Sequence, residues 1–212
     1  MGKINQGILG GFSGKVGTVI GGTWKGITYM RAKAVSIANP RTEAQQSQRI
    51  KFSLVLRLLQ PCTNFLRVGY KNYAVKQSAF NAATSYMLSN AITGAYPTFG
   101  IDFSRVMFSR GALTIPANVQ TNVTGGSVKI LWDDNSASGA ASPTDKALAI
   151  VVNPDNGEAV WTTSGAERNI GEETLTVPAD WTGDQVEVYL GFISADFKEV
   201  SNSVYAGSVV IP

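Results

Sequence analysis

Side chains able to carry out chemistry are scarce in this chain, and the scarcity is the first thing it says about function. There is no histidine and a single cysteine, Cys62. That removes the usual general base, the Ser-His-Asp and Cys-His nucleophile arrangements, every histidine-containing zinc site and any intrachain disulfide. Asp133, Asp134, Asn135 and Asp145 fall on one expected loop and could in principle gather oxygens round a calcium ion. Their spacing fits no EF-hand, and the loop is rich in Ser, Ala and Gly, so a solvated acidic loop is expected there. Glu172-Glu173 sits in an expected turn, where neighbouring residues point apart, and makes a poor carboxylate pair. Gly11-Phe12-Ser13-Gly14-Lys15 has the glycines and lysine of a phosphate loop, but with the wrong number of residues between them and Val16 where Ser or Thr is needed. The expectation is a non-enzyme: no catalytic residue, no cofactor and no metal.

The remaining chemistry is charge. Residues 1–110 hold 14 lysines and arginines against two acids, and residues 111–212 hold four against 13. Polarity of this kind points to an acidic partner for the first part, either nucleic acid or another copy of the chain. Phosphate contacts would come from Arg41, Arg49, Lys51, Arg57, Arg67, Lys71 and Lys76, with Tyr70 or Tyr73 as stacking partners for DNA or RNA bases. The same interleaving of basic and aromatic residues also describes the half-buried face of a structural helix.

The elements that position these residues start with a helix between Asn39-Pro40 and Pro61. Thr42 and Gln45 form a capping box at its start, and Ile50, Leu54 and Leu58 form a stripe widened by Phe52, Val55, Leu56 and Leu59. Before it, nine glycines crowd the first 26 positions, while Val16, Thr18 and Ile20, then Ile27, Tyr29 and Arg31, alternate as strands do. The pattern predicts a glycine-rich β-hairpin over about 15–32 with Gly21-Gly22 as its turn. Such a hairpin is marginal alone and needs a partner surface. Val16, Ile20, Gly21, Gly22, Trp24 and Ile27 are therefore the candidate assembly residues. A connector, 62–75, leads to a second helix, about 76–90.

From Gly111 onward the pattern predicts seven strands, Leu113–Ile115, Val128–Trp132, Ala147–Val152, Ala159–Thr163, Thr174–Val177, Val186–Ile193 and Ser203–Ile211, with Trp132, Trp161 and Tyr189 as core aromatics. That count suits an immunoglobulin-like or fibronectin type III-like β-sandwich. The fold expected is thus α+β: a basic hairpin-plus-helices assembly module, 1–110, followed by an acidic Ig-like sandwich, 111–212. No stretch approaches the ~20 apolar residues of a membrane span, and the lysine inside the N-terminal apolar run argues against a signal peptide.

Residues Gly21 to Arg31, Asn39 to Phe52, the Trp132-Asp133-Asp134-Asn135-Ser136 run and Ser201 to Tyr205 together resemble an uncharacterised family of similar length found in Bacteroidetes. That resemblance implies no activity. Gly14 to Phe52 also resembles an N-terminal module of tailed-phage virion proteins, in which a glycine-containing strand pair ends in Tyr-x-Arg and an Asn-Pro-x-Thr-x-x-Gln helix follows. Gln45 and Arg49 match that module, whereas its later tryptophan-containing repeat is missing here. The resemblance implies a self-assembling structural protein, a homo-oligomer in a virion or particle built in the cytoplasm. Nucleic-acid binding by the basic part is the alternative.

Overall fold

The computed structural model describes residues 3–4, 11–24, 27–36, 39 and 41–212. It divides into two compact units, Met1–Thr42 and Glu43–Pro212. The first holds β1 (Lys3–Ile4), β2 (Phe12–Val16), β3 (Val19–Trp24) and β4 (Ile27–Ala32), antiparallel and in that order across one sheet.

The second unit begins with α1 (Glu43–Leu59), α2 (Thr63–Gly69) and α3 (Ala79–Asn90), followed by a short pair, β5 (Ile92–Ala95) and β6 (Thr98–Ile101). Ser78 caps α3 by accepting the Asn81 N–H at 3.1 Å. Seven more strands follow: β7 (Ala117–Thr124), β8 (Ser127–Asp133), β9 (Lys146–Asn153), β10 (Glu158–Thr162), β11 (Glu172–Thr176), β12 (Gln185–Ile193) and β13 (Val204–Val210). They form a three-stranded sheet, β11-β8-β7, and a four-stranded one, β10-β9-β12-β13, all antiparallel. This is a fibronectin type III-like sandwich in its strand count and two-sheet division.

The sequence of β9, KALAIVVN, is apolar without alternation, and the reason is that both faces of its sheet are covered. Ala147, Ala149 and Val151 face the other sheet and join Val128, Ile130, Trp132, Val188, Leu190, Phe192 and Trp181 in one core. Leu148, Ile150 and Val152 face the helices and join Val55, Leu59, Phe65, Leu66, Met87 and Tyr189 in a second core. The expected boundary at 110/111 is therefore corrected. The helices belong with the sandwich because they, with Val106 and Phe108, cover the apolar outer face of its larger sheet, and the division falls at Thr42/Glu43. Tyr189 ties the layers together, its ring 4.9 Å from that of Phe108 and its hydroxyl donating to the Phe103 carbonyl at 2.8 Å.

Two further expectations are corrected. Leu113–Ile115 is not a strand, since Leu113 makes only an isolated parallel bridge to Ser201, and the first strand of the sandwich is β7. The 62–75 connector contains α2, whose Phe65, Leu66 and Gly69 are buried. Cys62 lies just before that helix, fully buried in the helix-side core, with its thiol against the Leu58 carbonyl. Burial pushes the thiol up to about 12, and because only the thiolate attacks, the group is inert at pH 8. Native protein at pH 8 should give no reaction with a thiol-specific disulfide reagent over the time in which urea-unfolded protein reacts fully. Rapid native labelling would show that α1 and α2 do not enclose it.

Candidate assembly surface

Register assigns each residue of the N-terminal sheet to a face, because directly opposed residues in an antiparallel pair point the same way. Val16↔Val19, Gly14↔Gly21, Gly21↔Met30 and Val19↔Ala32 define one face, and Lys15↔Ile20, Ile20↔Arg31 and Gly22↔Tyr29 define the other. The candidate assembly residues are thus divided. Val16 and Gly21 lie on the first face, Ile20, Gly22 and Ile27 on the second. Trp24 pairs with Ile27 in register, and its side chain lies outside the described residues.

The glycines act differently from the expectation. Gly21-Gly22 is not the turn but the middle of β3, and the β2–β3 turn is Gly17-Thr18, where Gly17 takes φ +57°. Glycine first in a two-residue loop is what type II′ hairpins require. At Gly21 a Cβ would lie 2.2 Å from the Phe12 carbonyl oxygen and 2.7 Å from its ring, so Phe12 lies across the bare glycine. Tyr29 lies in the same way over Gly22, its ring 3.2 Å from a Cβ built there. Gly21→Val should therefore force β2 off β3 by overpacking, at a cost of about 1–3 kcal/mol. At Gly17, where nothing lies within 4 Å, asparagine should meet backbone strain alone and leave β2 paired with β3. Circular dichroism and sedimentation of the two variants check this, and equal behaviour would contradict it.

The sheet has almost nothing inside it. Among the described residues up to Thr42 only Gly21 is buried. All six residues of β4 are exposed, with Ile27 at 66%, Met30 at 68% and Tyr29 at 45%, and Val16 on β2 at 53%. β4 also ends the sheet, so one row of its backbone N–H and C=O groups has no strand beside it among the described residues. Met30, Tyr29 and Val19 were missed as candidates. Met30 belongs to the other alternation of β4, Thr28-Met30-Ala32, whereas Tyr29 lies in the Ile27-Tyr29-Arg31 alternation and Val19 opens β3 opposite Val16.

The basic residues do not form a common surface. Lys51 lies over the Phe99 ring, 4.6 Å from its centre, while Arg57 donates to the Asp155 carbonyl in the β9–β10 turn. Arg67 donates to Asn64 at 3.1 Å, and Lys71 donates to the Phe197 carbonyl in the β12–β13 connection. Arg49 and Arg57 share the exposed side of α1 with Phe52, but Lys51 lies about 200° round the helix from Arg49. Arg41 and Lys76 are set in left-handed backbone at φ 48° and 57°. Tyr70 is fully buried with its hydroxyl on the Met107 carbonyl, and burial raises its pKa, so it is closed to base stacking. Charge also divides differently at the observed boundary: residues 1–42 carry six basic residues and no acid, and 43–212 carry 12 basic residues against 15 acids.

The acidic loop of the sandwich is committed internally. Arg168, with no exposed surface, donates to Asp145 at 3.1 Å, to Asn135 at 2.6 Å and to the Thr114 carbonyl at 3.0 Å, and lies over the Phe192 ring at 3.8 Å. Among the described residues no His, Cys, Asp and Glu groups come together in a cluster able to hold a metal ion. Nor is any described helix long and apolar enough to cross a membrane.

Fold and surface together define a protein with an exposed N-terminal antiparallel sheet followed in sequence by a helix-backed, fibronectin type III-like sandwich. The chain belongs to the family of unknown function DUF6266, which matches residues 11–207. No curated protein matches it. Among solved structures it is similar to the fn3 domain of human collagen alpha-1(XX) chain, at 15% identity and a TM-score of 0.35, over 48% of this chain and 89% of that one.

Proposed function

We propose that this chain is a non-enzymatic structural protein that self-associates through its N-terminal sheet, as a component of a virion or phage-like particle. The observation carrying the proposal is β4, a six-residue edge strand with every side chain exposed and apolar groups on both faces. Small sheets without a core are marginal in water, and long exposed edges are places where another strand adds. A second copy would supply both the missing strand and the apolar cover. Fully burying one exposed side chain of this kind contributes about 1.5–3 kcal/mol, and several from each copy, with the ladder hydrogen bonds, would act against the entropy lost on association. The likeness of Gly14 to Phe52 to a tailed-phage virion module supports the particle context. Nucleic-acid binding is the weaker reading, because Lys51, Arg57 and Lys71 are engaged within their own unit and Tyr70 is buried. Negative-stain microscopy of the purified chain tests the proposal: regular rings, tubes or shells are expected as concentration rises, and a field of monomers at every concentration would overturn it.

A further inference from the structure

Within the second unit, a polar groove of about 390 Å³ runs along α3 and is lined in part by Arg110. Its backbone is fixed by an N–H to the Gly69 carbonyl at 2.9 Å. Its guanidinium carbon lies 4.5 Å from the centre of the Tyr73 ring and 4.6 Å from that of Tyr86. Ring faces hold a cation by its quadrupole attraction and leave its N–H donors unspent. Among the described residues no carboxylate or carbonyl meets this guanidinium, and none of the ion pairs includes it. This contrasts with Arg168, each of whose three guanidinium nitrogens donates to an oxygen. Tyr73, Tyr86 and Ser85 line the same groove, Ser89 spends its proton on the Ser85 carbonyl, and no acidic residue lines the walls. One permanent positive charge, hydroxyl-bearing side chains and no acidic residue make a surface suited to an anion.

We propose that this groove binds a small oxyanion, a phosphate or a carboxylate, through the edge of the Arg110 guanidinium with Tyr73, Tyr86 and Ser85 as hydroxyl donors. The site is independent of the assembly reading, since it lies wholly within the second unit. Isothermal titration of the full chain with inorganic phosphate, and separately with N-acetylglutamate, against sodium chloride of equal ionic strength tests it. Saturable heat with at least one of the two is expected. Phosphate alone would mark a phosphate-bearing ligand, and N-acetylglutamate alone a carboxylate. Arg110→Gln should abolish the heat, and Arg110→Lys, which keeps the charge and loses the fork, should weaken binding at least about tenfold. Ser85→Asp, a change at an exposed helix position, should abolish it as well by supplying Arg110 with an internal carboxylate, and so covers the case in which Arg110→Gln fails to fold. No saturable heat with either probe, or heat unchanged in Ser85→Asp, would overturn the assignment.

Discussion

Asp145→Ala is expected to cost about 3–5 kcal/mol of stability, because it leaves the Arg168 guanidinium buried without its counter-charge. Neither side chain has more than 2% of its surface exposed. Desolvation draws the arginine below its ordinary pKa, and the nearby Asp145 charge opposes that fall. The remaining bonds to Asn135 and Thr114 satisfy hydrogens but not charge. The damage would spread because the Arg168 carbonyl accepts the Trp132 indole N–H at 2.8 Å, and Trp132 packs edge-on against Phe192, their ring centres 5.5 Å apart. At about 2–4 °C per kcal/mol for a chain of this size, thermal unfolding should fall by about 6–20 °C. Replacing both partners, Asp145→Leu with Arg168→Met, should recover part of that loss, since an apolar pair carries no charge desolvation, while the Asn135 and Thr114 oxygens and the Ser142 N–H lose a partner. A melt in which Asp145→Ala unfolds within a degree or two of the parent would mean that the pair is solvated.

Carboxylates on β4 should have the opposite profile, with little effect on the monomer and a large one on association. Ile27 and Met30 are two-thirds exposed, and surface substitutions usually lie within about 0.5 kcal/mol of neutral. An unpaired carboxylate carried into an interface costs several kcal/mol. Ile27→Asp combined with Met30→Asp should therefore raise the dissociation constant at least about a thousandfold, roughly 4 kcal/mol, without changing the circular dichroism of the sandwich. The single variants divide the effect, because register places Ile27 and Met30 on opposite faces of the sheet. Light scattering across a dilution series reads both. Unaltered association of the double variant would remove β4 from the interface.

Much of the second unit is legible residue by residue. The helix bracketed by Thr42 and Pro61 is α1, and six of the seven expected sandwich strands overlap observed ones. β7 escaped because ANVQTNVT has only Val119 and Val123 among its larger apolar residues, and its alternation is of half-buried against exposed positions. α2 escaped because seven residues give fewer than two full turns of periodicity. The 110/111 boundary followed charge and texture, whereas the deciding signal was the unalternating run in β9. A strand apolar on both sides needs a layer on each side, and the helices have the apolar faces to supply the second. At the assembly surface, Gly21-Gly22 carries the composition of a hairpin turn, yet those glycines serve close approach of Phe12 and Tyr29. That requirement arises from the neighbouring strands and has no local signature. The buried claim of Arg168 on the acidic loop was illegible for the same reason, since residues 114, 135, 145 and 168 are brought together only by the folded sandwich.

The central claim, self-association through the N-terminal sheet, is tested most directly by sedimentation velocity of the full chain beside residues 43–212, each at about 0.15 M and about 1 M salt. Residues 43–212 contain both cores of their unit and should sediment as a folded monomer under both conditions. The full chain should sediment as a larger species that survives high salt, since ladder hydrogen bonds and apolar burial are little screened while surface ion pairs are. A monomeric full chain, or association that persists equally in residues 43–212, would contradict the account, and association lost at high salt would replace strand addition with electrostatic docking.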